Sequence, residues 1–404
     1  MAELPNTTRA NIQMLILGTA DWNQPIATNQ HSIARELGRS FNVTFVESLG
    51  LRRPQLTRRD FGRAMRRLLP GLSPTKTQPR EVPEGVTVVS PRVIPFHRGP
   101  IARFNKKRLR KIVAAWRESE GAKVLWTYSP VTYGLEEEAD ATVYHLVDLL
   151  GSFPGISAEL IDSSEAVLKE RVVRALGSSR TVVAHLQRTG FTPVEYWPNV
   201  AELAVFAPAH ELDRTIEQQR RAVFAGNLSD KKIDQELLQA VIASGVELHL
   251  AGPVAEGGKG RSFDLDKLVD AGATYHGLLA PSDLADLFAT CGFGLIPYRL
   301  NAYTEGVYPL KAWEYLAAGM VVVSTALPSM IEEADGEDIF TVRGEQDFLN
   351  QLHAEQDFSL GDRQRRANKA ASHGWAERGQ NARRLVEEVS SLNEGMTQSE
   401  VAPN

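Results

Sequence analysis

The chain has 404 residues, of which 43% are hydrophobic and 24% are charged. One hydrophobic core stops growing at about 250–300 residues, so two domains are expected. A single cysteine, Cys291, excludes a disulfide framework and a cysteine-rich metal site. The N-terminus lacks the basic start and long apolar run of a signal peptide, and no stretch approaches the roughly 18 apolar residues of a membrane-spanning helix. The sequence therefore predicts a cytoplasmic globular protein.

The formal net charge of −5 conceals an asymmetry between the two halves of the chain. Residues 1–200 hold 27 basic and 19 acidic side chains, whereas residues 201–404 hold 18 and 31. The basic excess is densest at residues 51–111, where 17 basic residues accompany three acidic ones. Such a patch attracts anions, which include phosphorylated substrates, acidic lipid headgroups and nucleic acid. The alternative interpretation is a solvated basic face.

The first half of the chain alternates between short apolar runs and helical patterns. An apolar run at 12–17 ends at Gly18 and predicts a buried strand that leads into a loop. The β-branched run at 181–184 predicts a later strand. Strands separated by helices are typical of a parallel, doubly wound sheet. The predicted strands of this half are 12–17, 43–46, 86–89, 123–128, 142–147 and 181–184, and the predicted helices are 30–39 and 165–176.

A segment with three prolines at 193–208 interrupts this alternation and predicts a linker. A second alternating series follows, so we expect an α/β protein with two facing Rossmann-like, doubly wound domains. Ligands of such sheets bind at the carboxyl ends of the strands, which places the site in the cleft between the domains. The predicted boundaries are 1–205 for the first domain, 206–370 for the second, 371–392 for a C-terminal helix and 393–404 for a disordered tail. The predicted strands of this half are 222–224, 247–250, 274–277, 293–297 and 321–324, and the predicted helices are 235–244, 281–290 and 310–318.

The stretch 296–324 carries the most chemical information. Pro309 is predicted to open a helix that carries Lys311 and Glu314 and ends near Gly319. Free N–H groups at the helix start and the ammonium group of Lys311 together favour an anion. Glu314 lies three residues later on the same face, and its carboxylate can accept hydrogen bonds from a vicinal diol, as acidic residues do with ribose. The alternative is an ordinary Lys–Glu surface pair.

The block E-G-V-Y-P-L-K-A-W-E-Y-L-A-A-G-M-V-V-V-S-T at 305–325 resembles the donor-binding helix of GT-B glycosyltransferases. It is similar to the bacterial polysaccharide enzymes of group 1, which include the teichuronic acid enzymes and the xanthan glucuronosyltransferase. The resemblance implies that Lys311 contacts donor phosphate and Glu314 the ribose hydroxyls, with Tyr308 among the donor-side residues. Many relatives carry two glutamates eight residues apart, the first of which reaches the donor sugar. Here Glu305 and Glu314 are nine apart, and Glu305 is the corresponding candidate.

The resemblance extends to the loops that precede this helix. A Gly-Asn pair follows the predicted strand 222–224, where relatives have the phosphate-side loop of the donor domain. In many relatives that loop carries an arginine and a lysine; here Asn227 stands in the arginine position, which leaves the lysine pair at 231–232. The loops at 252–253 and 275–277 correspond to those around the nucleotide base. The donor-side candidates in these loops are Gly226, Asn227, Lys231, Gly252 and His276.

The first half of the chain matches the same family more loosely. Gly18, Trp22 and His31 lie in a region that resembles the first strand, loop and helix of the acceptor domain. With one glycine, this loop is not a GxGxxG dinucleotide fingerprint. Asp148 ends a predicted strand, where the resemblance implies a general base that removes the acceptor proton if attack inverts the anomeric centre; the alternative is an N-cap. His145, three residues earlier on the strand, should point to the opposite face and pack in the core.

The resemblance implies sugar transfer from a nucleoside diphosphate sugar, with a UDP-sugar as co-substrate and no further cofactor. GT-B enzymes generally need no metal, so the D-x-D string at 264–266 is interpreted as a coincidence. The family also implies that helix 371–392 crosses back onto the first domain. The family resemblance and the basic segment 51–111 together suggest a lipid-linked or cell-surface glycan acceptor and peripheral binding at the inner membrane face.

Three other functions compete with sugar transfer at the level of the sequence. A nucleotide-sugar epimerase shares the architecture but needs acid and base groups on both sides of the sugar and no acceptor. A non-catalytic protein could bind a nucleotide sugar or a nucleic acid, although few aromatic residues interleave with the basic ones, which disfavours nucleic acid. A dehydrogenase is disfavoured by the missing GxGxxG motif.

Overall fold

The computed structural model describes residues 11–24, 27–52, 80–153, 155–254 and 263–399. The chain divides into two compact units. The N-terminal unit comprises Met1–Trp197 and Gly379–Asn404, and the C-terminal unit comprises Pro198–Arg378. Each unit contains one parallel sheet, in agreement with the predicted alternation of strands and helices.

The sheet of the N-terminal unit has seven strands, which are β1 (Ile12–Leu17), β2 (Asn42–Val46), β3 (Val86–Val89), β4 (Ala122–Thr127), β5 (Ala141–Leu146), β6 (Val172–Gly177) and β7 (Val194–Tyr196). Their order is β3-β2-β1-β4-β5-β6-β7, and all neighbours are parallel. The largely apolar sequence of β1 suits its central place, since a parallel strand inside a sheet is covered on both faces. The chain runs outward from β1 to β3 and then resumes at β4 on the other side, so the topological switch point lies between β1 and β4.

The helices of the N-terminal unit are α1 (Asn29–Gly38), α2 (Gly99–Ile112), α3 (Ala114–Glu118), α4 (Ala158–Leu168) and α5 (Arg180–Thr189). Two predicted elements are wrong: the helix at 165–176 is the end of α4 followed by β6, and the strand at 181–184 lies inside α5. The hydroxyl of Ser179 accepts a hydrogen bond from the Val182 N–H at 3.2 Å, and Gly190 ends the helix with a φ of 94°. These cap residues and the apolar face of the helix outweigh the β-propensity of its first turn.

The sheet of the C-terminal unit has six parallel strands, which are β8 (Ala222–Ala225), β9 (Leu248–Ala251), β10 (Thr274–Tyr275), β11 (Phe293–Ile296), β12 (Val321–Thr325) and β13 (Ile339–Val342). Their order is β10-β9-β8-β11-β12-β13. The chain proceeds outward from β8 to β10 and resumes at β11 on the opposite side of β8. The switch point of this sheet therefore lies between β8 and β11, and the crevice at their carboxyl ends is the place where doubly wound folds bind ligands.

The remaining helices are α6 (Leu203–Phe206), α7 (Ile216–Gln219), α8 (Gln235–Ala243), α9 (Leu265–Asp270), α10 (Pro281–Ala289), α11 (Lys311–Ala317), α12 (Pro328–Glu333), α13 (Glu345–His353), α14 (Leu360–Ala370) and α15 (Trp375–Ser399). The first residues of the predicted C-terminal helix at 371–392 form a 3₁₀ turn at Ala371–His373, after which α15 begins. The residues of α15 from Gly379 onward belong to the N-terminal unit. Within the described part of the chain, no helix combines the length and the apolar character needed to cross a bilayer.

Candidate active site

Two loops at the switch point of the C-terminal sheet are joined to each other. One follows β8 and the other follows β11, and they pair through an antiparallel bridge between Ile233 and Tyr298. The Arg299 N–H donates to the carbonyl of Lys232 at 2.8 Å, and the Asn301 amide donates to the carbonyl of Lys231 at 3.0 Å. The loop that carries Lys231 is thus held against the segment that leads into α11, and the side chain of Lys231 stays exposed.

The carboxyl ends of β8 and β9 approach each other at two glycines. Gly252 has a φ of 127°, and a Cβ atom there would lie 2.0 Å from the carbonyl oxygen of Gly226. The Gly252 N–H donates to the carbonyl of Gly277 at 2.7 Å, which brings the loop after β10 to the same place. Both the backbone conformation and the close approach require glycine at position 252. The structure therefore brings Gly226 and Gly252 together, and Asn227 follows them as an exposed residue.

The His276 ring contacts the ring of His249, which was not among the predicted site residues. Its Nε2 lies 2.9 Å from Nδ1 of His249, and the two rings stack with centroids 5.2 Å apart. Nε2 of His249 lies 3.1 Å from the Glu247 carboxylate. Burial lowers the pKa of His249, while the carboxylate acts in the opposite direction. The side chain of His276 therefore continues a Glu–His–His chain on the face of the sheet.

Lys311 and Glu314 form an ion pair on one face of α11, as their spacing predicted. Their side chains are only 21% and 8% exposed, so they are not an ordinary surface pair. The Lys311 ammonium group also lies 5.8 Å from the centroid of the Phe206 ring. This combination of a half-buried cation and a buried carboxylate, one helical turn apart, can bind a phosphate and a diol side by side.

Tyr308 and Glu305 differ in whether their side chains are exposed to solvent. Tyr308 is buried, and its hydroxyl donates to the Glu333 carboxylate at 2.9 Å and accepts from the Trp313 indole at 3.1 Å. These bonds give Tyr308 a role in holding the start of α11. Glu305 lies in the 3₁₀ turn Thr304–Gly306 and is exposed.

Gly18, Trp22 and His31 shape the loop between β1 and α1 in the N-terminal unit. A Cβ atom on Gly18 would lie 2.9 Å from the Phe45 ring, and Trp22 packs against the same ring with centroids 5.1 Å apart. Nδ1 of His31 accepts from the N–H of Thr28 at 3.0 Å, which leaves the proton on Nε2, 3.3 Å from the carbonyl of Asp21. Burial, and then the charge of Arg80, lowers the pKa of His31.

Asp148 follows β5 at the carboxyl edge of the N-terminal sheet and is half-buried. The next 3₁₀ turn, Leu150–Ser152, has Leu149 as its N-cap, so Asp148 does not occupy the cap position. His145 is buried and packs against the rings of Trp126, Tyr128 and Trp197, as expected for a core histidine.

Several neighbours of these candidates had no usable signal in the sequence. Phe206 is more than a hundred positions from Lys311 and meets it only through tertiary packing. His249 could have been noticed as a histidine on the strand beside His276, but nothing in the spacing predicts their contact. Asp264, from the D-x-D string, caps α9 by accepting from the Lys267 N–H at 3.1 Å. Among the residues that the structure describes, no group of three or more acidic, His or Cys side chains is arranged to hold a metal ion.

A segment of the C-terminal unit matches a family of known proteins. Residues 219–354 match the family of glycosyl transferases group 1. TuaH from Bacillus subtilis (strain 168), provisionally assigned as a teichuronic acid biosynthesis glycosyltransferase, is 26% identical over 213 residues. That match covers 51% of this chain and 52% of TuaH, so the chain spans about half the length of this curated relative.

Solved structures share the fold over nearly the whole chain. Anabaena HepE in complex with UDP and glucose superimposes with a TM-score of 0.61 at 13% identity, covering 93% of this chain and 99% of HepE. Sucrose-phosphate synthase from Thermosynechococcus elongatus gives 0.63 at 13% identity, covering 94% and 99%. A glycosyltransferase from Rickettsia africae gives 0.63 at 10% identity, covering 94% and 98%. Residues 219–354 are therefore similar to the group 1 glycosyl transferases, and the fold of the chain is GT-B.

Proposed function

We propose that the protein is a glycosyltransferase that moves a sugar from a nucleoside diphosphate sugar to an acceptor hydroxyl. The observation that carries this proposal is the Lys311–Glu314 pair on α11, directly after the loop at the switch point of a group 1 domain. A UDP-sugar is the best candidate for the donor, because the structure of HepE holds UDP and glucose. No cofactor beyond this co-substrate is needed for the reaction.

In the proposed reaction, the bond between the anomeric carbon and the diphosphate oxygen breaks as the acceptor oxygen bonds to that carbon. The leaving nucleoside diphosphate gains negative charge, which Lys311 and the exposed Lys231 would stabilise. Glu314 would accept hydrogen bonds from the ribose hydroxyls. If the reaction inverts the anomeric centre, the acceptor proton passes to the carboxylate of Asp148.

The remaining donor-side candidates divide into two roles under this proposal. Gly226 and Gly252 would let the backbone approach the nucleotide closely, since neither carries a side chain. Asn227, Glu305 and His276 would contact the donor through their side chains. On the acceptor side, Gly18, Trp22 and His31 would set the shape of the loop that meets the acceptor.

The acceptor that we propose is a lipid-linked or cell-surface glycan intermediate. The similarity to TuaH supports this class, and the basic excess at 51–111 supports peripheral binding at an anionic membrane surface. Residues 53–79 of that segment lie outside the described residues. The part from residue 80 onward is described, and it carries α2.

Donor binding can be tested by thermal shift with UDP, GDP, ADP and TDP. A nucleotide at a hundred times its Kd stabilises the protein by about 2.7 kcal/mol, which corresponds to a rise of about 5–11 °C in Tm for units of this size. We expect one nucleotide, with UDP as the first candidate, to give this rise in the wild type. Lys311→Ala and Glu314→Ala should each abolish it, measured against their own nucleotide-free Tm.

The matched controls are Lys267→Ala and Glu355→Ala, which remove exposed charges elsewhere in the C-terminal unit. Both should keep the full shift. A shift that survives in Lys311→Ala and Glu314→Ala would place the nucleotide elsewhere, and the absence of any shift in the wild type would argue against a nucleotide-dependent transferase.

A further inference from the structure

The exposed face of α2 is unusually cationic. The helix holds six basic residues and no acidic one. Four of them follow one stripe, at positions i, i+3, i+4 and i+7, so each has a like charge as its neighbour along the helix. Like-charged neighbours repel, and an anion from outside the chain would relieve that repulsion. The stripe consists of Arg103, Lys106, Lys107 and Arg110.

The stripe forms one wall of an open groove of about 410 Å³, which Arg117 from α3 completes. Only two carboxylates approach these cations in the described part of the chain. Glu138 pairs with both Arg110 and Arg117, and Glu137 lies 3.9 Å from Lys106. Arg103 and Lys107 have no carboxylate within ion-pair distance among the described residues, so the groove keeps a positive excess.

Large apolar side chains on α2 and on the segment before it are exposed instead of being buried. Phe96 and Phe104 are each 49% exposed, and Ile101 is 37% exposed. Phe104 lies three residues before Lys107, so these two exposed side chains are neighbours on the surface of α2. A helix that exposes basic and aromatic residues together has the composition of an element that lies in a membrane interface.

The helix and the segment before it are held rigidly to the unit. The buried Asn105 amide donates to the carbonyls of Ile94 and Phe96 at 2.7 and 3.2 Å and to the Tyr133 hydroxyl at 3.0 Å. The same hydroxyl lies 2.6 Å from Nδ1 of His97. This network fixes the backbone that carries Phe96 relative to α2. The apolar and cationic side chains therefore form a preorganised surface.

We propose that α2 is the element that docks the protein on a bilayer of anionic phospholipids. Headgroup phosphates occupy the groove between α2 and α3, and Phe96, Ile101 and Phe104 enter the boundary between headgroups and acyl chains. The proposal deepens the membrane part of the proposed function and rests on it only for the choice of a membrane as partner. It needs neither a donor nor a turnover, so it can fail without affecting the assignment of the donor site.

The test is co-sedimentation of the full chain with vesicles, either phosphatidylcholine alone or an equimolar mixture with phosphatidylglycerol. We expect binding to the anionic vesicles only, and loss of most binding at about 1 M salt, where the screening length falls to about 3 Å. Arg103→Glu/Lys107→Glu should bind more than tenfold more weakly. Phe104→Ala, which leaves the charge unchanged, should bind severalfold more weakly.

The matched control is Arg171→Glu/Arg188→Glu, which makes the same charge change at exposed positions of the same unit away from the groove. This variant should bind like the wild type. Equal weakening in both double variants would overturn the proposal in favour of net charge, and unchanged binding in Arg103→Glu/Lys107→Glu would overturn it outright. The nucleotide-induced thermal shift of each variant reports folding and the donor site separately.

Two soluble occupants are distinguished in the same experiment. If inorganic pyrophosphate raises the Tm of the wild type but not that of Arg103→Glu/Lys107→Glu, while anionic vesicles do not bind, the groove is a site for a soluble phosphate. If a single-stranded oligonucleotide binds with a steep salt dependence and vesicles do not, the partner is a nucleic acid. Either result overturns the membrane proposal.

Discussion

The carboxylate of Glu314 is almost fully buried, and its charged partner Lys311 lies one turn earlier on the same helix. Removing two charged groups from water costs several kcal/mol, and their attraction rarely gives a net gain in stability. A pair of this kind is therefore poorly explained as a stabilising device. Under the proposed function each group acquires a second partner, a phosphate for Lys311 and a ribose for Glu314.

Asp148 allows a prediction at the same scale. Asp148→Asn keeps the size of the side chain but removes its ability to accept a proton. If Asp148 is the base, kcat for sugar transfer should fall by about 10²–10⁴-fold, while the nucleotide-induced thermal shift stays unchanged. Asp162→Asn, an exposed acid of α4 in the same unit, should keep full activity. A fall of less than threefold in Asp148→Asn would remove Asp148 from the proposed mechanism.

At the scale of elements, the position of α11 is set by its contact with the strands beneath it. The Tyr315 ring occupies the space over Gly294 of β11, where a Cβ atom would lie 2.2 Å from the ring. The Tyr315 hydroxyl, fully buried, accepts a hydrogen bond from the Ala225 N–H at the end of β8 at 2.9 Å. One residue thus ties the helix that carries Lys311 and Glu314 to both strands of the switch point.

Tyr315→Phe should therefore affect stability and donor binding together. The variant leaves the buried Ala225 N–H without an acceptor, so the free energy of unfolding should fall by about 1–3 kcal/mol in denaturant titration. Nucleotide affinity should fall by severalfold because α11 is less firmly placed. Tyr275→Phe is the comparison, since it removes a bond to the carbonyl of Gly252 from a half-buried ring that water can reach. A loss as large in Tyr275→Phe would show that any missing tyrosine hydroxyl has this effect.

At the scale of the whole molecule, the acidic C-terminal half makes stability depend on pH. Asp335 is a clear source of this dependence. Burial alone would raise the pKa of Asp335, but bonds from Lys369 and from three backbone N–H groups hold it well below its usual range. A carboxyl group whose pKa is lowered by folding stabilises the protein above its unfolded pKa of about 3.9, and this contribution is lost as the pH falls.

Asp335→Asn should lower the free energy of unfolding by about 1–2 kcal/mol at pH 7. The difference from the wild type should be constant between pH 7 and pH 5 and should shrink as the pH falls below about 4, because the wild-type carboxyl group then becomes protonated in the unfolded chain. Denaturant titrations across this range measure it. Asp270→Asn, at an exposed position of α9, should show no such pH dependence. A difference that stays the same down to pH 2 would indicate that the charge of Asp335 is irrelevant.

Much of the fold follows from local sequence patterns. The apolar run of β1 predicts that strand because a parallel strand inside a sheet is covered on both faces and needs a largely apolar sequence. The spacing of Lys311 and Glu314 puts them on one face of α11 because a helix repeats every 3.6 residues. The resemblance to GT-B enzymes of group 1 is confirmed by the match at 219–354 and by the GT-B fold, and the donor-binding role of 305–325 stays a prediction.

Only the tertiary structure decided the secondary structure of 181–184 and the neighbours of the candidate site residues. The run at 181–184 has β-propensity, yet it forms part of α5, since its cap residues and burial outweigh a preference of a few tenths of a kcal/mol. Glu314 is buried although it lies on the same helix face as a charged lysine. Lys311 contacts Phe206, and His276 pairs with His249, although the partners in each pair are distant in the chain. Local periodicity carries no information about such neighbours, because they meet only when elements that are separate in the chain pack together.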